Sequence, residues 1–351
     1  TLTMILVFVA VCGCLPSVDT PMSTSTAHAI EVTKEATPAT KTAKHANAVD
    51  PTIPPYKKVN EAVSGSIKSI GSDTMNNLMA KWAEGFKKLY PNVTIEIEGK
   101  GTATAPPALI AGTANFGPMS RQMKGKEIDD FEKKFGYKPL ALPTGLDMLA
   151  VYVHKDNPLK GLTLQQVDAI YSKTRKGGAD RAITTWGELG LTGEWKDKPI
   201  SLYGRNAASG TYGYFKDYAL FGGDYKNSVK EQPGSSAVVQ GVASDKYAMG
   251  YSGIGYKTAD VIALPLAAKA GVEFAAPEAQ NAYNGKYPLS RFLYVYINQR
   301  PGKPLDALRR EFIKYIMSQD GQRDVVNGDY LPIPYKVTQR ALESVLVVPP
   351  A

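Results

Sequence analysis

From Ser64 onward, apolar positions recur with two periods that take turns along the chain. Ser66-Ile-Lys-Ser-Ile70 reads as a strand, and Val93-Thr-Ile-Glu-Ile-Glu98 alternates apolar and polar side chains as a second. Between them, Met75, Leu78, Met79, Trp82, Phe86 and Leu89 fall on one face of a helix. Pro106 and Pro107 open a further helix through Ile110, because a first turn tolerates the missing N–H of proline. The runs Met148-Leu-Ala-Val-Tyr-Val153 and Phe292-Leu-Tyr-Val-Tyr-Ile297 read as buried strands, and Leu305 to Met317 as an amphipathic helix. This rhythm predicts an α/β fold with mostly parallel sheets and no internal repeat.

Ahead of Ser64 the pattern differs. Met4 to Ala10 is an apolar stretch of secretory length, too short to span a bilayer, and it runs into Val11-Cys12-Gly13-Cys14. Small residues before a cysteine resemble a bacterial lipobox, which would make Cys14 the lipidated first residue of the mature chain. An ordinary cleaved signal peptide is the alternative, and both imply export. Residues 15–63 are rich in Thr, Ala, Ser and Pro without a sustained apolar period, the composition of a flexible tether.

Composition narrows the chemistry. Among 351 residues there are two Cys and three His, and from about residue 64 onward there is no Cys and one His, His154. A cysteine zinc site, a Cys nucleophile, a disulfide framework and a His-rich metal site are thereby excluded from the body. The formal charge is +8. Residues 1–63 are balanced, so the excess of 36 basic over 28 acidic side chains belongs to the body, where it is dispersed in short groups such as Lys173-Thr-Arg175-Lys176. No phosphate-backbone stripe results, and nucleic acid is not an expected partner. A mild bias toward anionic ligands remains.

Three segments between a strand and a helix carry the candidate chemistry. They are Gly71-Ser72-Asp73-Thr74, Gly99-Lys-Gly101-Thr102-Ala-Thr104 and Gly204-Arg205-Asn206-Ala-Ala-Ser209-Gly210-Thr211. Each places small and hydroxylic residues where free N–H groups and the positive end of a helix attract an anion. Taken singly, each is equally a plain helix cap. Three together, one with an Arg four residues before its Ser, fit convergence on one oxyanion. None has the spacing of a Walker A loop or a dinucleotide fingerprint. A fourth segment sets Ser120 beside Arg121, whose planar fork suits a tetrahedral oxyanion. The alternative for Arg121 is a surface pair with Glu127.

These residues resemble the phosphate-binding proteins of bacterial phosphate-specific ABC transporters, most closely the branch of pseudomonads and related Gram-negative bacteria. The resemblance covers nearly all of residues 64–345. It runs through Gly71-Ser-Asp-Thr74, Gly101-Thr-Ala-Thr-Ala-Pro-Pro107, Asn115-Phe-Gly-Pro-Met-Ser-Arg121, Val153-His-Lys-Asp-Asn-Pro158, Thr185-Trp-Gly-Glu-Leu-Gly190, Gly204 to Phe215, Gly250-Tyr-Ser-Gly-Ile-Gly-Tyr256 and Tyr287-Pro-Leu-Ser-Arg-Phe-Leu293. It implies a two-lobed periplasmic-binding-protein fold of type II, with two crossover strands and phosphate in the cleft between the lobes. Residues 64–149 plus 292–345 would form lobe I and 150–291 lobe II. It further implies a periplasmic, monomeric carrier that needs no cofactor or metal, does no chemistry and delivers phosphate to a membrane permease, with the lipid on Cys14 as its anchor.

Carried over by position, Thr74 and Met75 match the ligands of the first loop, beside Ser72, and Thr102 matches the hydroxyl of the second. Arg205, Ser209, Gly210 and Thr211 match the clamp of the third. Two positions depart from relatives: Ser120 and Ala207 stand where some carry Asp. An acceptor for the proton of hydrogen phosphate is needed to reject fully ionised sulfate. Asp73 and Asp147 are the candidates, Asp73 first because it lies in a ligand loop. An exported phosphatase on the same cradle lacks an evident base for its hydroxyls, and a surface sensing or adhesion role is a further alternative.

Overall fold

The computed structural model describes residues 48–346. The expected leader, the lipidation of Cys14 and the tether as far as residue 47 lie outside the described residues.

The first parallel set forms as the apolar pattern predicts. Strands β1 (Gly65–Ile70) and β2 (Val93–Glu98) pair with Ile67 opposite Ile95. Between them, a 3-10 turn (Asp73–Met75) leads into helix α1 (Asn76–Leu89), which buries Leu78, Met79, Trp82 and Phe86. A second such turn (Thr102–Thr104) opens α2 (Ala105–Ala111), with its prolines in the first turn and Gly112 left-handed at its end. Strand β3 (Phe116–Met119) joins the other edge of β1, and α3 (Gly125–Phe135) leads to the long strand β4 (Leu140–His154).

After β4 come β5 (Leu162–Thr163), α4 (Leu164–Tyr171), β6 (Ser201–Arg205) and α5 (Gly210–Tyr218). Then follow β7 (Lys230–Gln232), α6 (Ser235–Ser244), β8 (Ala248–Gly253), β9 (Val261–Ala263), β10 (Leu266–Ala267) and α7 (Ala279–Tyr283). Strand β11 (Ser290–Ile297) returns to the first set, and α8 (Ala307–Ile316), α9 (Gln319–Asn327) and α10 (Tyr335–Leu346) close the described chain.

The main sheet has the order β2-β1-β3-β11-β4-β8-β6-β7, with β9 on the far end of β4. It is mixed, which corrects the expectation of mostly parallel pairing. Parallel pairs are confined to the flanks, β2-β1-β3 and β8-β6-β7. The centre is antiparallel because β4 and β11 cross in opposite directions. Strand β4 changes partner midway: Leu140–Met148 pairs with β11 and Leu149–Val153 with β8. Separate hydrophobic cores flank this switch. Trp82, Phe86, Phe116 and Phe312 belong to one, and Tyr171, Trp186, Phe215 and Tyr251 to another. The architecture is the two-lobed α/β fold, with the chain crossing between lobes at β4 and β11.

The last part of the expected tether is not free chain. Residues 48–63 lie along α8, α9 and α10, with Ile53 and Val63 buried. The Asp50 carboxylate accepts the Tyr335 N–H at 2.9 Å, and the Pro54 carbonyl accepts the Gln319 N–H at 2.9 Å. The Tyr56 ring packs edge-on against Phe86, Tyr90 and Tyr315, and its hydroxyl donates to Glu311 at 2.9 Å. Such a segment has no period because its anchors are single side chains and isolated backbone bonds, so composition alone reads it as linker.

Candidate functional site

The three loops meet where the lobes face each other. In the first two, the residue ahead of the turn, Ser72 or Gly101, makes no side-chain cap bond to the described residues. Their hydroxyls reach across instead: Thr74 Oγ1 lies 2.9 Å from Thr211 Oγ1, and Thr102 Oγ1 lies 3.2 Å from Ser120 Oγ while accepting the Ser120 N–H at 3.1 Å. In the third loop Ser209 does cap α5, accepting the N–H groups of Thr211 at 3.1 Å and Tyr212 at 3.4 Å. Backbone closes the arrangement, since the Ala103 N–H donates to the Ala208 carbonyl at 3.0 Å. Gly210 must lack a Cβ here, because one would collide with the Thr102 and Ser120 hydroxyls. Ser72, Thr74, Met75, Thr102, Ser120, Ser209 and Thr211 are all buried.

The first loop is fixed from two further directions. The Tyr256 hydroxyl donates to the Asp73 carbonyl at 2.7 Å, and the Tyr330 hydroxyl to the Thr74 carbonyl at 2.6 Å. Burial, and then the neighbouring carboxylates, raise the pKa of both phenols, so they remain donors.

Two arginines enter this region, each matched by a carboxylate. The Arg205 Nη1 donates to Ser235 Oγ at 2.7 Å and lies 3.1 Å from Asp73 Oδ2, while Nη2 donates to the Pro233 carbonyl at 3.1 Å. Asp73 Oδ2 also accepts the Ser235 N–H and hydroxyl, both at 2.8 Å, so one carboxylate oxygen ties the first loop to the start of α6. Burial lowers the pKa of Arg205, and the Asp73 charge works against that shift. The second pair is Arg291 with Asp147, which the register of β4 and β11 sets directly opposite each other. Asp147 Oδ2 accepts from Arg291 Nε at 3.0 Å and Nη2 at 2.7 Å. The same Nη2 donates to Thr211 Oγ1 at 2.9 Å.

Twelve positions were expected around the anion. The structure brings ten into the chain of contacts just described or into the turns that carry them: Ser72, Asp73, Thr74, Met75, Thr102, Ser120, Arg205, Ser209, Gly210 and Thr211. Asp147 reaches it through Arg291. Arg121 does not: its guanidinium forms a two-pronged pair with Glu127 at 2.7 and 2.8 Å and donates to the Gln122 carbonyl. Burial opposes the Glu127 charge, yet Arg121 and the Lys124 N–H hold its pKa below the usual value. Arg291 is absent from the residues expected on the loops; in the sequence it stands at the head of an apolar strand, inside the segment Tyr287–Leu293 that carries part of the family resemblance but with no role assigned to it.

The donor set suits a tetrahedral oxyanion: hydroxyls from both lobes, helix N-termini and guanidinium groups. His154 is engaged elsewhere, with its Nδ1 accepting the Asp156 N–H at 3.2 Å. Among the described residues no group of three or more His, Cys, Asp or Glu is placed to hold a metal ion, and no helix is long and apolar enough to cross a membrane.

Comparison with known proteins agrees with this geometry. A family model described as the PBP superfamily domain matches residues 38–320. The phosphate-binding protein PstS of Pseudomonas aeruginosa is 56% identical over 296 residues, covering 84% of this chain and 91% of that protein. Among solved structures, a substrate-binding protein assigned to a phosphate ABC transporter of Clostridium perfringens, with bound phosphate, is 28% identical. It superposes with a TM-score of 0.65 over 77% of this chain and all of that one. An ABC-type phosphate transport receptor from Vibrio cholerae shares the fold at 22% identity, with a TM-score of 0.59 over 76% of this chain and all of that one. The chain belongs to the PBP superfamily and, within it, to the PstS family.

Proposed function

We propose that this protein binds inorganic phosphate between its lobes and hands it, chemically unchanged, to the membrane permease of an ABC importer. The observation that carries this reading is the meeting of loop hydroxyls from both sides of the β4 switch, Thr74 with Thr211, next to the Thr102–Ser120 pair of the first side and beside paired arginines. The family resemblance supplies the ligand class. Lobe I comprises residues 64–149 plus 292–345 and lobe II residues 150–291, a division supported by the change of β4 partner at Met148–Leu149. Thr74, Met75, Thr102, Ser120, Ser209, Gly210 and Thr211 supply hydroxyl or N–H donors, with Ser72 shaping the first turn and Arg205, held by Asp73, Ser235 and Pro233, supplying the guanidinium of the third loop.

Asp73 is the proposed acceptor for the phosphate proton. Its Oδ2 accepts two hydrogen bonds from Ser235 and pairs with Arg205, whereas its Oδ1 takes no donor among the described residues. The protein works outside the inner membrane as a monomer, held by a lipid on Cys14, for which mass spectrometry of the mature N-terminus is the check. Deletion of the gene should abolish high-affinity uptake of radiolabelled phosphate. Uptake at the parental rate would remove the delivery role.

A further inference from the structure

We infer that Arg291 is a second arginine contacting the bound anion, positioned by Asp147. This rests on the phosphate reading and adds to it a residue from the crossover strand rather than from the three loops. Arg291 is 5% exposed and Asp147 fully buried. Both prongs of Arg291 that face Asp147 meet the same oxygen, Oδ2, and the other oxygen, Oδ1, accepts the Ile254 N–H at 3.2 Å. The carboxylate is thus engaged on both oxygens and acts as a support. It holds the guanidinium so that Nη2 reaches Thr211 Oγ1, itself 2.9 Å from Thr74 Oγ1. The Tyr214 ring packs against the guanidinium, with 5.2 Å from its centre to Cζ, and so limits its movement.

The remaining nitrogen, Nη1, is buried and has no hydrogen-bond partner among the described residues. A buried charged donor left unpaired carries its full desolvation penalty, which an anionic oxygen would offset. Arg205 offers less: its Nη1 and Nη2 are held by Ser235, Asp73 and Pro233, and among the described residues only Nε lacks a partner. Of the two guanidiniums, Arg291 is the one bonded to the hydroxyl pair that joins the lobes. Arginine is donor-only, so it adds affinity for any tetrahedral oxyanion without reading its proton.

Titration of purified protein with phosphate and with arsenate, a protonated anion of the same shape, tests this role. Arg291→Lys keeps the charge but loses the fork. The Asp147→Asn, Arg291→Gln double variant replaces the ion pair by a neutral one and avoids an uncompensated buried charge. Both should bind phosphate about ten- to hundredfold more weakly and arsenate more weakly by the same factor, while Arg291→Lys keeps a phosphate-free melting temperature near that of the wild type. Phosphate affinity within threefold of wild type in both variants would overturn the inference and leave Arg291 as a brace. A loss seen only in phosphate-free melting would do the same. Failure of the wild-type protein itself to bind phosphate would instead overturn the functional reading beneath it.

Discussion

Asp73 concentrates the question of selectivity in one side chain. Its carboxylate belongs to the first loop, yet one oxygen is held by Ser235 and Arg205 across the cleft. An ionised carboxylate accepts the proton of hydrogen phosphate and repels sulfate, whereas an amide can donate to either. Asp73→Asn should therefore lower the phosphate-to-sulfate affinity ratio at least tenfold in competition titrations, and an unchanged ratio would remove Asp73 from that role. Residues of the loops are legible in the sequence because glycine, serine and threonine ahead of a helix have a local meaning. Arg291 is not legible in this way, since its partner Asp147 lies 144 positions away, and Tyr330 reaches Thr74 across 256. Arg121 shows the converse, where the neighbour six residues on, Glu127, wins the guanidinium.

Strand β4 is the element on which the lobes depend, and only its second half announces itself as an apolar run. In its first half the register with β11 shifts between Leu293 and Tyr294, so that Thr144 has no opposite residue. Such a bulge bends the strand and leaves backbone groups to be satisfied elsewhere. Thr144 Oγ1 donates to the Leu293 carbonyl at 3.1 Å, and buried Gln322 bonds the Thr144 and Ile316 carbonyls at 3.2 and 3.0 Å while accepting the Ile333 N–H at 2.9 Å. Gln322→Leu would strip three backbone groups of a partner. At about 1–3 kcal/mol for a buried unsatisfied group, partly relieved by relaxation, the loss should be about 2–4 kcal/mol in urea unfolding. A change below about 0.5 kcal/mol would contradict the bracing role. The sequence hides this half of β4 because Pro143, Thr144 and Gly145 interrupt alternation where the bulge needs them. Helix α1 shows itself fully because its buried face repeats with the helical period.

On the scale of the whole molecule, the two largest hydrophobic cores are joined through β4 and β11, and polar contacts close the space between them. Both buried arginines are matched by carboxylates, Arg205 by Asp73 and Arg291 by Asp147. The two pairs leave no excess positive charge between them, and the anion is held by aimed hydrogen bonds rather than by the chain's net charge of +8. The fold class and the anion were legible from the strand–helix rhythm and the three loops. The mixed centre of the sheet was not, because the direction in which β4 and β11 cross is set by pairing between distant segments. The most direct test of the central claim is a calorimetric titration of the purified chain with phosphate in a large excess of sulfate. One phosphate should bind per chain with an affinity that the sulfate leaves unchanged; no binding, or sulfate competing on equal terms, would contradict it.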